Sequence, residues 1–453
     1  MFDNLSRRAK NALEQVRQSP LLSRAVSGSF VSLAGSGVSQ FLRFIANTLV
    51  LTKLLKPEAF GLMSLVMTFI QGLRMLSDVG IGPSIIQSPR GEETGFLRTA
   101  WSLQVVRGFT LFAASILLAW PFAILFGHEN DWQQLLIFIP IAGIQAILNG
   151  FNSTTLFLLQ RRLLLTKRVS IDLAAQTVGI VVMISWALLS PTPWALLAGG
   201  LAESACLLVI SHLVEPRFDH RFGIDREEAR GMMRFGRWVF LATAFTFGAN
   251  KSDRLINSAA FDLTSLGIYS AAISMATLLP EMIRDLASRV LFPLFARWSV
   301  DDREVLRRRI LRTRIVFAVT TTVPMVVLAL GGTWIVHLLI RNQEYWEAGP
   351  WLRILAAGGI GACTVATMEP ALLALGDSFR HMCWQLGRFA ITLGCALLGL
   401  WLGGSHGFVV GMAWSNLAVV PLLALLVRAH GLLTPWLDVI SVSLSAALLL
   451  LLQ

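Results

Sequence analysis

Charge is scarce in this chain. Asp, Glu, Lys and Arg make up 14% of 453 residues, against roughly 25% in a soluble domain. A sequence that is 55% hydrophobic and so poorly charged cannot clothe a water-facing surface, which excludes a string of soluble domains. Cysteine is sparse too. Cys206, Cys363, Cys383 and Cys395 stand singly within or at the edge of apolar stretches, with no CxxC pair. That excludes the common zinc and thiol-redox motifs and leaves small core residues. No succession of short alternating strands occurs, so a membrane β-barrel is excluded. Residues 1–24 lack the apolar core of a cleaved signal. They carry Arg7, Arg8, Lys10, Arg17 and Arg24, with Phe2, Leu5, Ala9, Leu13 and Val16 at helical spacing, which predicts an amphipathic helix on the cytoplasmic leaflet. The formal charge of +11 is read as Arg- and Lys-rich cytoplasmic loops. No nucleic acid, cofactor or metal is expected.

Long apolar runs fill the space that charge vacates. Spans are predicted at 27–52, 60–87, 99–126, 133–159, 169–190, 194–215, 237–257, 265–295, 315–340, 351–376, 384–402 and 407–427. A thirteenth stretch, 437–453, is only marginally long enough. Of 38 Lys and Arg, 26 fall in the N-terminus and in the loops that alternate with it, and three (Lys53, Lys56, Arg341) in the opposite loops. That asymmetry predicts a cytoplasmic N-terminus. Trp132, Trp194, Trp346 and Trp351 at outer span ends, and Trp298 and Trp436 at inner ones, fit aromatic belts. No outer loop is long enough to hold an enzymatic domain.

The chain also reads twice. "AFGLMSLVMTF" at 59–69 resembles "SLGIYSAAISM" at 265–275, and similar matches follow in order along the chain. Even-numbered halves share one orientation, so the pseudo-two-fold axis runs along the membrane normal. The expected fold is an all-α polytopic membrane protein of two six-helix lobes plus the thirteenth stretch. It divides into an amphipathic segment 1–26, an N-lobe 27–215, a connector 216–236, a C-lobe 237–427 and a hydrophobic end 428–453.

Basic residues within spans are expensive, about 2.5–3.5 kcal/mol each at mid-span. Arg107, Arg289, Arg353 and Arg388 lie near span ends and are expected to snorkel. Arg43, Arg74, Lys251, Arg254 and Arg284 lie deeper, on the first two spans of each half. Asp78, Asp253, Glu281 and Asp285 are supporting acids at helical spacing. The acids are too few to neutralise the cations, so a central cavity would attract an anion such as a phosphate or diphosphate. Glu203 and Glu369 are isolated acids, read either as structural or as contributors to ion coupling.

At this point the sequence resembles a known family. "TKLLKPEAFGLMSLVMTFIQGLRMLSDVGIGPSIIQ" at 52–87 and "NKSDRLINSAAFDLTSLGIYSAA" at 250–272 are similar to signatures of Wzx-like polysaccharide flippases, in the multidrug/oligosaccharidyl-lipid/polysaccharide (MOP) superfamily. The resemblance implies a V-shaped pair of lobes and a cationic cavity. It implies that undecaprenyl-diphosphate-linked oligosaccharide is moved to the periplasmic leaflet of the bacterial inner membrane. The protein would then act as a monomer among membrane lipids, not as an enzyme, with polysaccharide polymerase and chain-length proteins as partners. A multidrug exporter of the same superfamily is an alternative that the basic surplus disfavours. A glycan polymerase lacks the outer loop it would need, and a non-transporting assembly protein leaves the charges unexplained.

Overall fold

The computed structural model describes residues 31, 34–77, 80–127, 132–214, 221–226, 228–230, 247–248, 251–287, 291, 294–295, 303–431 and 435–452. The expected amphipathic segment lies outside them. Among the described residues every regular element is helical. Helix α1 (34–44) runs into a wider π-helical stretch, Ile45–Leu51, and a last turn, Thr52–Leu54. There follow α2 (Pro57–Leu76), α3 (Ile81–Gln87), α4 (Thr94–Phe126), α5 (Trp132–Gly150), α6 (Thr155–Arg161), α7 (Leu165–Leu189) and α8 (Trp194–Leu213). The second half contains α9 (251–260), α10 (Leu263–Leu286), α11 (Arg303–Leu339), α12 (Ala348–Ala374), α13 (Ser378–Arg428) and α14 (Pro435–Leu452).

Two of the predicted spans are each divided into two helices, one of them at Gly80-Ile-Gly82-Pro83, a string expected to loosen or bend the end of its span. The run 60–87 divides into α2 and α3 because Gly80 takes a left-handed conformation (φ 67°), which a residue without Cβ adopts at little cost. Pro83 then falls in the first turn of α3, where its missing N–H leaves no gap. The run 133–159 divides into α5 and α6 around Asn152 and Ser153. The short pieces α3 and α6 pack together. Arg161 closes α3 by donating one terminal nitrogen to the carbonyls of Ile85 (2.8 Å), Ile86 (3.0 Å) and Ser88 (2.6 Å).

Two other expected spans, 384–402 and 407–427, form the two arms of α13. It departs from helical geometry at Gly403 and Gly404 and folds back there. A Cβ on Gly411 would meet the Cys395 carbonyl at 2.2 Å, and one on Gly399 that of Gly407. Lipid offers no hydrophobic gain for helix association, so close approach through small residues replaces it. Helix α12 is the hub of the second half and packs on α10, α11, α13 and α14. The thirteenth stretch is α14, 18 residues or about 27 Å long. Ser445 donates to the Ala357 carbonyl at 2.5 Å, and Asp438 meets Arg314 of α11 at 2.5 Å.

The halves meet along α2 and α10. At the crossing a Cβ on Gly61 would lie 1.9 Å from the Leu263 carbonyl, and one on Gly267 would lie 1.9 Å from that of Pro57. One turn on, Ser270 donates to Ser64 at 3.0 Å. Tyr345 adds a hydrogen bond to the Leu55 carbonyl at 3.2 Å and an edge contact with Phe60. All of these contacts belong to the ends of α2 and α10 nearest the loops expected outside. Toward the opposite end Gln40 of α1 donates to Asp285 of α10 at 3.4 Å.

Candidate functional site

The first-half cations sit on α1 and α2, each aimed by a polar neighbour from another helix. Arg43 meets Glu203 of α8 at 2.7 Å, with side chains 55% and 34% exposed. Glu203, isolated in sequence, therefore has a basic partner 160 residues away. Arg74, near the end of α2, donates to Gln145 Oε1 of α5 at 3.3 Å. Asp78, its expected neighbour, lies outside the described residues.

Arg107 does not snorkel. From α4 it turns onto the end of α2, donating to Ser77 Oγ at 3.0 Å and to the Arg74 carbonyl at 2.6 Å. The reason is local: α2 stops here, its last carbonyls lack helical partners, and a guanidinium is well suited to the negative end of a helix. Beside it, Gln104 Nε2 reaches the carbonyls of Asn149, Gly150 and Asn152, each at 3.0 Å, which closes the end of α5. Between these helix ends lies a cleft of about 130 Å³ bounded by Arg74, Gln104, Arg107, Leu111, Asn149 and Gly150.

The second-half cations divide into two groups. On α9, Lys251 and Arg254 lie in each other's field, and Asp253 and Glu281 also act on Lys251. Asp253 accepts a hydrogen bond from Tyr269 at 3.1 Å, while its Oδ1 is buried without a partner. On α10, Arg284 has a buried Nε that makes no hydrogen bond. No ion pair joins it to Glu281 among the described residues. Arg289 lies outside the described residues.

Arg388 of α13, expected to snorkel, is instead within the electrostatic reach of Arg284 and Glu369. Glu369 accepts from Gln385 at 3.2 Å, and the same amide approaches His381 at 3.4 Å. Arg353 donates to the Ala329 carbonyl at 3.1 Å. Asp285 takes the inter-half hydrogen bond from Gln40.

The sequence search singled out the charges Arg43, Arg74, Lys251, Arg254 and Arg284 but not the interior amides, one of which, Gln145, meets Arg74. Gln104, Gln145, Asn149 and Gln385 carried a signal. An amide inside an apolar run is costly unless it finds partners, so each marks a polar interior.

The fold agrees with what the chain resembles. The model of the family described as "polysaccharide biosynthesis protein" matches residues 50–348. The succinoglycan biosynthesis transport protein ExoT of Rhizobium meliloti (strain 1021) is 25% identical over 404 residues, covering 87% of this chain and 76% of that protein. The lipid II flippase MurJ, in its inward closed conformation, shares the fold at a TM-score of 0.72 and 11% identity, over 93% of this chain and 98% of that one. An inward-facing multidrug resistance transporter of the MATE family, in the MOP superfamily, gives 0.66 at 14% identity, over 92% and 99%. The chain belongs to the polysaccharide biosynthesis protein family, and its fold is that of the MOP superfamily.

Proposed function

We propose that this protein carries an undecaprenyl-diphosphate-linked oligosaccharide from the cytoplasmic to the periplasmic leaflet by alternating access. The lipid tail stays in the bilayer while the charged head passes between the halves. The observation that carries this reading is Arg284. Its buried Nε has no partner, a second guanidinium, Arg388, lies nearby, and Glu369 is engaged by Gln385. A cation held inside a membrane protein without its own acid is expensive, and a transiting diphosphate would offset that cost. Arg43, Arg74, Lys251, Arg254 and Arg284 form the anion path. The arginines suit forked contact with phosphate, and Lys251 acts as a point charge.

The family and the relative named a transport protein support a carrier over an enzyme. The basic interior supports an anionic head over the cationic drugs of a multidrug exporter. The N-terminus is cytoplasmic by the charge asymmetry of the loops, and one of Glu203 and Glu369 contributes to coupling. Asp78, Asp253, Glu281 and Asp285 tune the field around the cations.

The test is flipping of a fluorescent polyprenyl-diphosphate oligosaccharide in proteoliposomes. Ala replacement of Arg284 or Lys251 should slow it at least tenfold, with normal protein insertion, and Arg284→Lys should restore it in part. Normal flipping by all five Ala variants would sink the reading.

A further inference from the structure

We infer that the basic start of α11 binds the headgroup of an anionic phospholipid in the leaflet that faces the cytoplasm. The inference is independent of the transport reading above.

The exposed side of α11 runs as a single stripe. It is apolar from Val316 through Val323 and Leu330 to Trp334, and Arg312 and Arg308 continue the same line one and two turns in the other direction. Four-residue steps keep them on one helix face. On the opposite side Leu306, Ile310 and Arg314 are buried, so these first turns are packed on the protein.

Two observations set the level of the membrane surface. Val316 and Trp334 are 18 positions apart, or about 27 Å. That is close to the roughly 30 Å of hydrocarbon in a bilayer, and Trp is an interfacial residue. On the neighbouring helix α14, Asp438 meets Arg314 at 2.5 Å. The exposed Trp436, two residues from Asp438, therefore stands at nearly the level of Arg314. Both routes put the boundary beside Arg312–Val316. Arg312 then lies about 6 Å and Arg308 about 12 Å beyond Val316. The headgroup layer adds roughly 5–8 Å on each side, and a long side chain bridges the remainder.

This end is basic in excess. Residues 303–312 hold five Arg and a single acid, Glu304. Arg308 takes that acid at 3.2 Å, and no acid meets the exposed Arg307 or Arg312 among the described residues. Cations near other helix ends are matched: Arg90 with Glu93, Arg162 with Glu92 and Arg168 with Asp172.

Phospholipids differ in what they bring to such a surface. Phosphatidylethanolamine carries an ammonium beside its phosphate, which the arginines would repel. Phosphatidylglycerol carries a phosphodiester and hydroxyls alone. A guanidinium fork takes two of its phosphate oxygens without meeting a cation. Its acyl chains lie along the valines of the same stripe, a contact that free phosphate cannot make. Anionic lipids of the cytoplasmic leaflet attract basic segments placed next to a span in this way.

The test is native mass spectrometry of the full chain released from detergent micelles, with phosphatidylglycerol and phosphatidylethanolamine of identical chains as competing ligands. The wild type should retain the glycerol lipid at least fivefold over the ethanolamine lipid, and equal retention overturns the inference. Arg307→Ala, Arg308→Ala and Arg312→Ala together should bring the ratio close to one. Arg90→Ala, Arg162→Ala and Arg168→Ala together remove the same charge elsewhere and should leave it unchanged. An equal loss in both triple variants would mean that the lipid reads net charge, which also overturns the inference. Location is read without any variant: phosphatidylglycerol with a photoreactive headgroup should label residues 303–316, and labelling confined to other segments rejects the site. Inorganic phosphate at millimolar concentration should not displace the lipid, and displacement would make this a phosphate site instead. If either triple variant fails to fold, the wild-type ratio and the labelling decide.

Discussion

Ser270 donates its hydroxyl to Ser64 at 3.0 Å, and the two residues are 206 positions apart. Gly61 and Gly267, one turn away in the same crossing, are separated by the same interval. A residue meets its own counterpart only on the axis that relates two copies, so these pairs support a duplicated architecture hinged on α2 and α10. Cysteines at positions 64 and 270, in a background without the four native ones, should cross-link under mild oxidation. The linked protein should stop flipping, and a reductant should restore it. Full activity in the linked form would mean that this crossing does not part during transport.

Gly61 and Gly267 leave no space for a side chain. A methyl at either would sit 1.9 Å from a backbone carbonyl, so the helices must separate to admit it. Gly267→Ala should lower the thermal midpoint in detergent by several degrees, consistent with an overpacking cost of about 1–3 kcal/mol. Gly95, where nothing lies within 4 Å of an added Cβ, provides the matched control.

Arg107→Ala removes two hydrogen bonds from the end of α2. Bonds to a charged donor are worth about 1.5–3 kcal/mol each before compensation. Lower thermal stability and faster backbone hydrogen exchange around 72–77 are expected. A silent substitution would mean that water closes the helix end equally well.

The Arg43–Glu203 pair is well exposed, and exposed pairs contribute only about 0–1 kcal/mol. Glu203→Gln should therefore fold normally. If Glu203 contributes to coupling, flipping by that variant should lose its response to an imposed proton or sodium gradient. Glu369→Gln provides the parallel measurement, and an unchanged response in both would make the two acids architectural.

At the start of α13, Asp377 accepts from the Arg380 backbone N–H at 3.0 Å and contacts the side chains of Arg380 (2.5 Å) and His430 (2.9 Å). The backbone donor foremost, and then the two side chains, outweigh desolvation and hold its carboxyl below the usual range. Because the folded value is depressed, the stabilisation is complete above the unfolded value of roughly 3.9 and fades as pH falls through the folded one. The gap in thermal midpoint between wild type and Asp377→Asn should close as pH is lowered through that window. A gap that is constant with pH would show that the carboxylate's charge plays no part.

Much of the fold was legible because membrane spans are set by length and hydropathy, which are local properties. Gly61 and Gly267 could be matched in two similar strings, and both fall at the crossing of α2 and α10. The breaks in α2 and α5 were harder to see. Gly80-Ile-Gly82-Pro83 signals one of them, but nothing in "GFNSTT" at 150–155 outweighs the apolar context on either side. The partners of the charges could not be read at all. Glu203 finds Arg43 across 160 residues and Arg107 finds the end of α2 across 33, and such pairings exist only once the helices are packed. Snorkelling was a fair expectation for Arg107 by depth alone, but it ignored an unfinished helix end within reach.

The reversal at Gly403 and Gly404 also acts as an angular ruler. Each residue of an α-helix turns the chain by about 100°, and a two-residue turn has no slack in which to absorb an error. One residue inserted beside Gly404 would rotate the second arm of α13 by more than a quarter turn and swing Gly407 and Gly411 away from Gly399. Bulkier neighbours would then come between the arms. The spacing of this corner, more than the identity of any residue in it, keeps the two arms in phase.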